Sequence, residues 1–118
     1  MEPGTFTKLY VQLIFSPQLN SPVRSINLQE RLFAYISGIV KTLGHQSLAV
    51  NGMYDHVHIF YRMKPSVDIS KTVKEIKRVS TIFLKEEGLL RKFKWQGGYG
   101  AFTYSQSQMD SVIKYIVN

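Results

Sequence analysis

The chain has 118 residues, 44% of them hydrophobic and 19% charged, which suffices for one globular domain with a core but not for two. It contains no cysteine, so disulfides and thiolate metal sites are excluded and a reducing compartment is favoured. The sequence lacks a signal-peptide pattern and any apolar run near the roughly 20 residues of a membrane span, so we expect a cytoplasmic protein without membrane contact. The net charge of +7 favours a polyanionic partner such as nucleic acid.

The first two predicted elements are a strand and a helix. Alternating apolar residues predict a strand over Thr5–Ser16, because successive side chains of a strand point to opposite faces. After a loop rich in Pro, Ser and Asn, Asn27 and Glu30 have the spacing of a capping box. Apolar residues then recur at helical spacing up to Gly44, where we expect the helix to end.

A hairpin and a second helix are predicted in the middle of the chain. Asn51-Gly52 is a typical two-residue turn, so we expect it to connect strands at 45–50 and 53–63. Pro65 ends the hairpin, and an amphipathic helix follows as far as Gly88. The outer surface of this helix is basic and contains Lys71, Lys74, Lys77, Arg78 and Lys85.

The last third of the chain predicts a connector, a strand and a helix. Arg91–Trp95 interleaves basic and aromatic residues, a composition suited to holding phosphates and stacking bases. Trp95–Thr103 predicts a strand with a Gly-rich lead-in, and Ser105 and Gln108 form the capping box of a third helix. Its apolar stripe consists of Met109, Val112, Ile113 and Ile116.

The element order β-α-β-β-α-β followed by α predicts an α+β protein of the ferredoxin-like fold. In this fold an antiparallel sheet carries two helices on one face, and here a C-terminal helix is added. The basic residues of the second helix and of the connector are the predicted DNA-binding residues. They are Lys71, Lys74, Lys77, Arg78, Lys92 and Lys94.

Two histidines on the second arm of the hairpin form a candidate metal site. His56 and His58 point to the same side of the predicted strand, whereas Val57 and Ile59 point to the apolar side. Such a pair of imidazoles can bind one divalent cation, although two surface histidines would give the same pattern. A phosphate substrate would favour Mg²⁺ or Mn²⁺.

The predicted turn also determines which residues lie opposite the two histidines. A two-residue turn at Asn51-Gly52 pairs Ser47 with His56 and His45 with His58. We therefore expect His45 on the same face as the pair and near the site.

Tyr115 is one of several candidate nucleophiles. At 100° per residue it lies about 110° from the centre of the apolar stripe of the third helix, so its ring can pack while its hydroxyl reaches water. Periodicity alone identifies it as a boundary aromatic residue. Tyr54, Tyr99 and Tyr104 compete with it.

Three segments together resemble the single-tyrosine HUH transposases of small bacterial insertion sequences, in which two histidines flank a bulky hydrophobic residue. These segments are Asp55–Ile59, Trp95–Phe102 and Val112–Ile116. The resemblance covers nearly the whole chain, with the elements in the expected order.

The resemblance implies a transposase that cuts and rejoins single-stranded DNA. It implies His56 and His58 as ligands of Mg²⁺ or Mn²⁺ and Tyr115 as the nucleophile that becomes joined to a 5′ phosphate. It also implies a homodimer that binds DNA hairpins at the ends of the mobile element. In such a dimer Tyr115 can work together with the histidines of its own protomer or with those of the partner.

One position departs from the family pattern. The family places a Gln one helical turn after the tyrosine, which would be position 119, whereas the chain ends at Asn118. We therefore expect a single domain over 1–118 that is truncated at its C-terminal end. Gln108 lies two turns before Tyr115 on the same helix face, too distant to be expected as a substitute.

Two other functions fit parts of the sequence. A non-catalytic module that binds single-stranded DNA or RNA hairpins would use the same fold and charge, although no segment matches the RNA-recognition signature. A metal hydrolase that uses water would need the two histidines and leave Tyr115 without a role.

Overall fold

The computed structural model describes residues 8–86 and 90–118 of the chain. Three predicted features lie outside these residues. They are the start of the first strand, the end of the second helix at Gly88, and Leu89. The elements are β1 Tyr10–Phe15, α1 Ile26–Thr42, β2 Gln46–Met53, β3 His56–Arg62, α2 Ile69–Glu86, β4 Gly100–Tyr104, a 3₁₀ turn Gln106–Gln108 and α3 Met109–Val117. This order confirms the predicted β-α-β-β-α-β-α succession.

The four strands form one antiparallel sheet in the order β2-β3-β1-β4. This is the ferredoxin-like arrangement, and it confirms the predicted fold class. Within the described ranges, no helix is long and apolar enough to cross a membrane.

The main core lies between one face of the sheet and helices α1 and α2. Strand residues Val11, Leu13 and Ile59 are fully buried there, together with Ile36 of α1 and Ile76 of α2. These residues occupy alternate strand positions and one stripe of each helix, as the apolar patterns predict.

A second, smaller core lies on the other face of the sheet, beneath α3. Tyr10 and Phe60 of the sheet pack there against Val112 and Ile116 of the helix. Strand β1 is therefore buried on both faces, and even Gln12 is only 4% exposed. His56 and His58 lie on this second face, since they alternate with Val57 and Ile59 of the main core.

The predicted hairpin turn is wrong by three residues. Met53 pairs with His56, so the turn is Tyr54-Asp55, and Asn51 and Gly52 are paired strand residues. Gly52 is required by close packing, because a Cβ there would collide with the carbonyl oxygen of His56.

The pairing across the hairpin changes accordingly. His58 lies opposite Asn51 rather than His45, and Ser47 lies opposite Tyr61 rather than His56. An irregularity between Ser47 and Ala49 shifts the register of β2 against β3. As a result, the intervening Leu48 packs towards the core beneath α3 instead of the main core. A turn signal in the sequence could not reveal this shift.

The helix caps agree with the predictions at one end of the chain and not at the other. Helix α1 is capped by Ser25, whose hydroxyl accepts from the Leu28 N–H at 3.2 Å, so the capping box predicted at Asn27 is wrong. The box at Ser105 and Gln108 is confirmed, because the Gln108 side-chain oxygen accepts from the Ser105 N–H at 2.9 Å. Gln108 therefore serves the start of α3.

Candidate active site

His56 and His58 lie side by side on β3, as their spacing predicts. Their ring centroids are 5.0 Å apart with planes at 84°, and both residues are half-buried. The carboxylate of Asp55 lies 2.8 Å from Nδ1 of His56. This contact fixes the ring and leaves Nε2 for another partner.

Tyr115 lies beside this pair in the same chain. Its ring centroid is 6.3 Å from that of His58, with planes at 82°. Val112 and Ile116 anchor α3 to the sheet, and Tyr115 projects from the flank of the helix with 72% of its surface exposed. An exposed phenol thus stands next to the His58 imidazole, and His56 is the next ring along the strand.

A buried amide holds the second histidine. Nδ1 of His58 lies 3.1 Å from Nε2 of Gln12, and Oε1 of Gln12 accepts from the Tyr104 hydroxyl at 3.0 Å. Burial, followed by the nearby His56, lowers the pKa of His58, so its neutral form is favoured. The sequence did not indicate Gln12, because a polar residue at an alternating position is ordinary in a strand that has one exposed face.

Asn51 is a second residue that the sequence did not indicate. Its side-chain amide donates to the carbonyl oxygen of Ile116 at 2.9 Å, one residue beyond Tyr115. This bond ties the last turn of α3 to β2, at the residue that is paired with His58 of β3. Its position in a Asn-Gly pair concealed this role.

His45, expected on the imidazole face, lies on the opposite side of the sheet. Its ring packs on Tyr61 at 4.4 Å between centroids, and Nε2 lies 2.9 Å from the hydroxyl of Thr72 on α2. It is only 4% exposed. The expectation was wrong because the irregularity between Ser47 and Ala49 reverses the face of the residues before it, so Ser47 lies opposite Tyr61 and His45 faces the same core. The displaced turn alone moves the pairing by an even number of residues and would have kept His45 on the His58 face.

The competing tyrosines occupy other places. The Tyr104 hydroxyl is engaged with Gln12, and Tyr54 lies in the β2–β3 turn with the Arg24 guanidinium 5.3 Å from its ring centre. Tyr99 precedes β4 and is 43% exposed. Of the four candidates, Tyr115 is the one whose ring stands against a histidine of the pair.

The sequence also matches a known protein family. The sequence profile described as "Transposase IS200 like" matches residues 5–118. The chain belongs to this family. No curated protein sequence matches it.

Two solved structures share the fold of this IS200-like transposase. A proposed transposase from Deinococcus radiodurans R1 has a TM-score of 0.76 at 22% identity, covering 100% of this chain and 95% of that chain. A REP-associated tyrosine transposase bound to a REP hairpin has a TM-score of 0.63 at 14% identity, and the match covers 94% of this chain and 66% of that chain. The family predicted from three segments is thus confirmed, and the neighbours support the fold.

The predicted DNA-binding residues of α2 lie away from the histidines of this transposase. Helix α2 packs on the main-core face, so the sheet separates its basic surface from the site. Lys71 and Lys74 are exposed there, whereas Arg78 pairs with Glu75 at 2.9 Å. Lys92 and Lys94 are exposed in the connector before β4.

Lys77 has a structural role that its position in a basic helix did not reveal. Its ammonium donates to the carbonyl oxygens of Gln96 and Gly98 at 2.9 and 2.7 Å and lies over the ring of Phe15. Burial lowers the pKa of Lys77. It ties α2 to the Gly-rich segment that leads into β4.

The donor set of the site fits two ligand positions of a divalent cation. Nδ1 of His56 faces the Asp55 carboxylate, an outer partner of the kind that orients metal-binding histidines in proteins. Nδ1 of His58 faces the Gln12 amide, and its Nε2 is directed away from that contact. Among the residues described, no group of three or more His, Cys, Asp or Glu side chains could enclose an ion. Further ligands would have to come from other groups, such as phosphate oxygens.

Proposed function

We propose that this transposase cuts and rejoins single-stranded DNA through a 5′-phosphotyrosine intermediate on Tyr115. The observation that carries the proposal is the Tyr115 ring standing 6.3 Å from the His58 ring on an exposed surface. A phosphate placed there would lie beside the phenol and the His58 imidazole, with His56 as the adjacent ring. Membership of the transposase family supports DNA processing.

The chemistry requires only the exchange of one phosphate ester for another. The Tyr115 oxygen attacks the phosphorus, and the bond between the phosphorus and the 3′ oxygen of the preceding nucleotide breaks. The phenol loses its proton, and the leaving 3′ oxygen takes up a proton. A 3′ hydroxyl can later attack the phosphotyrosine and release Tyr115. Cutting and rejoining therefore consume neither water nor ATP.

His56 and His58 would hold a divalent cation, Mg²⁺ or Mn²⁺, at this site. Such an ion, when bound, polarises the phosphate and stabilises the charge of the transition state. Asp55 keeps the His56 ring in place at 2.8 Å. The bond from Asn51 to the Ile116 carbonyl holds the tyrosine-bearing turn of α3 above the pair.

The proposal extends to the substrate and the assembly. We infer a hairpin-bearing single strand as substrate, supported by the fold shared with a tyrosine transposase bound to a hairpin, and a cytoplasmic homodimer as the working form. The exposed Lys71, Lys74, Lys92 and Lys94 would hold flanking phosphates away from the cut.

The decisive experiment detects the covalent adduct. The protein is incubated with Mn²⁺ and a pool of single-stranded hairpins that have random flanks and a 3′ label, because the tyrosine becomes joined to the 3′ fragment. We expect labelled protein on a denaturing gel. The adduct should disappear in Tyr115→Phe and persist in the matched control Tyr99→Phe, which removes an exposed hydroxyl outside the site.

Each other outcome contradicts the proposal in a recognisable way. Free 5′-phosphate ends without an adduct would indicate hydrolysis by water. Retention of hairpins without cleavage would indicate a binding module. An adduct that persists in Tyr115→Phe would place the nucleophile elsewhere.

A further inference from the structure

A polar side chain buried at the centre of the sheet needs an explanation. Gln12 lies in the middle of β1 on the α3 face and is 4% exposed, in a position where an apolar residue would pack without the cost of desolvating an amide. It borders a groove of about 410 Å³ that is also lined by His58, Tyr104 and Tyr115. The amide therefore lies directly beneath the candidate active site.

Both ends of this amide are occupied by groups of the site. Nε2 faces Nδ1 of His58 at 3.1 Å, and Oε1 accepts from the Tyr104 hydroxyl at 3.0 Å. An amide NH₂ group can only donate, so in this arrangement Nδ1 of His58 is the acceptor. A neutral imidazole then carries its proton on Nε2.

That tautomer cannot bind a cation through Nε2. Binding there requires the proton on Nδ1, and Nδ1–H requires an acceptor in place of the amide NH₂. Turning the Gln12 amide by about 180° presents Oε1 to His58 and the NH₂ to Tyr104, whose hydroxyl oxygen can accept as well as donate. The same three groups thus satisfy both tautomers.

We propose that Gln12, oriented by Tyr104, is a positioning residue that selects the His58 tautomer. In the resting protein the proton is on Nε2, and occupation of Nε2 by a cation is coupled to reversal of the amide. The proton moves from Nε2 to Nδ1 through solvent, so the number of protons on His58 does not change. The coupling to a cation rests on the proposed function, whereas the resting tautomer does not.

The test reads the tautomer directly, without DNA. Two-bond ¹H–¹⁵N correlations of the imidazoles are recorded at pH 7.5 on metal-free protein and after addition of Zn²⁺, a diamagnetic probe. We expect His58 as the Nε2–H form without metal and as the Nδ1–H form with it. Tyr104→Phe should abolish the preference in the metal-free protein, and Tyr99→Phe should leave it intact.

Two substitutions of Gln12 have opposite expected effects on metal binding. Gln12→Glu presents only acceptor oxygens to His58, so we expect Nδ1–H already without metal and tighter Mn²⁺ binding by titration calorimetry. Gln12→Leu removes the partner and should lower Mn²⁺ affinity by about tenfold or more. Thermal unfolding of each variant verifies that it is folded.

The results separate this inference from the proposed function. Metal-free wild type with Nδ1–H on His58, or a Gln12→Leu variant with unchanged tautomer and Mn²⁺ affinity, would overturn the inference. Wild type that binds neither ion would overturn the coupling. Failure to form a DNA adduct with the expected tautomers would instead contradict only the proposed function.

Discussion

His45 gives a prediction about stability that follows from its surroundings in the main core. Its Nδ1 accepts from the Lys64 N–H at 2.9 Å, and its Nε2 lies 2.9 Å from the Thr72 hydroxyl. That hydroxyl donates to the Asp68 carbonyl, so the proton between them belongs to His45. Both ring nitrogens are thus satisfied in the neutral form, and a second proton would displace the Lys64 bond.

The buried position lowers the pKa of His45 from 6.5 to about 4, through desolvation first and the charge of Lys64 second. Between these values the unfolded chain binds a proton that the folded chain does not, so acid favours unfolding. The contribution of His45 is fully present above pH 6.5, is reduced by about 1.4 kcal/mol at pH 5.5 and by about 2.5 kcal/mol at pH 4.5. Below pH 4 the effect levels off.

The measurement compares urea unfolding of wild type and His45→Gln at pH 7.5, 6.5, 5.5 and 4.5. Glutamine cannot titrate, and it offers both an acceptor and a donor in place of the ring. Wild type should lose about 2.5 kcal/mol more than the variant between pH 7.5 and 4.5, while groups common to both cancel. Equal losses, or an NMR titration of His45 near 6.5, would refute the reasoning.

The remaining predictions concern glycine positions, a lysine and an amide. Gly38→Ala should raise the free energy of unfolding by about 0.5–1 kcal/mol, because Gly38 is an exposed position of α1 where an added Cβ meets nothing within 4 Å. Gly52→Ala should lower the free energy of unfolding by a several-fold larger amount, because its Cβ would collide with the backbone of His56. Urea unfolding measures both, and a change of the same sign and size in the two variants would contradict this. Lys77→Gln should lower the free energy of unfolding by about 1–3 kcal/mol, because two hydrogen bonds to carbonyl oxygens are lost. The control Lys74→Gln, at an exposed position of the same helix, should leave the free energy of unfolding nearly unchanged in the same urea titration. Asn51→Ala should cost about 1 kcal/mol and speed amide hydrogen exchange at the end of α3, and unchanged exchange there would show that the bond to this helix is unimportant.

Much of the fold was predictable because it depends on patterns within single elements. Apolar residues alternate with polar ones in β1 and β3, and they form one stripe along α3. Such patterns predict the order of strands and helices, which the structure confirms. The cap at Asn27 failed because Ser25 lies two residues earlier and also accepts from the helix. Two polar residues so close in sequence offer equivalent capping signals.

The amino-acid sequence by itself determined that His56 and His58 share a face and that Tyr115 stands on the flank of its helix. These relations follow from backbone periodicity, which fixes side-chain direction within one strand or helix. The tertiary structure alone decided that α3 covers the histidine face, that Gln12 lies beneath His58, and that His45 belongs to the opposite core. Contacts between elements depend on strand register and helix docking, which are set by packing over the whole sheet rather than by any local run of residues.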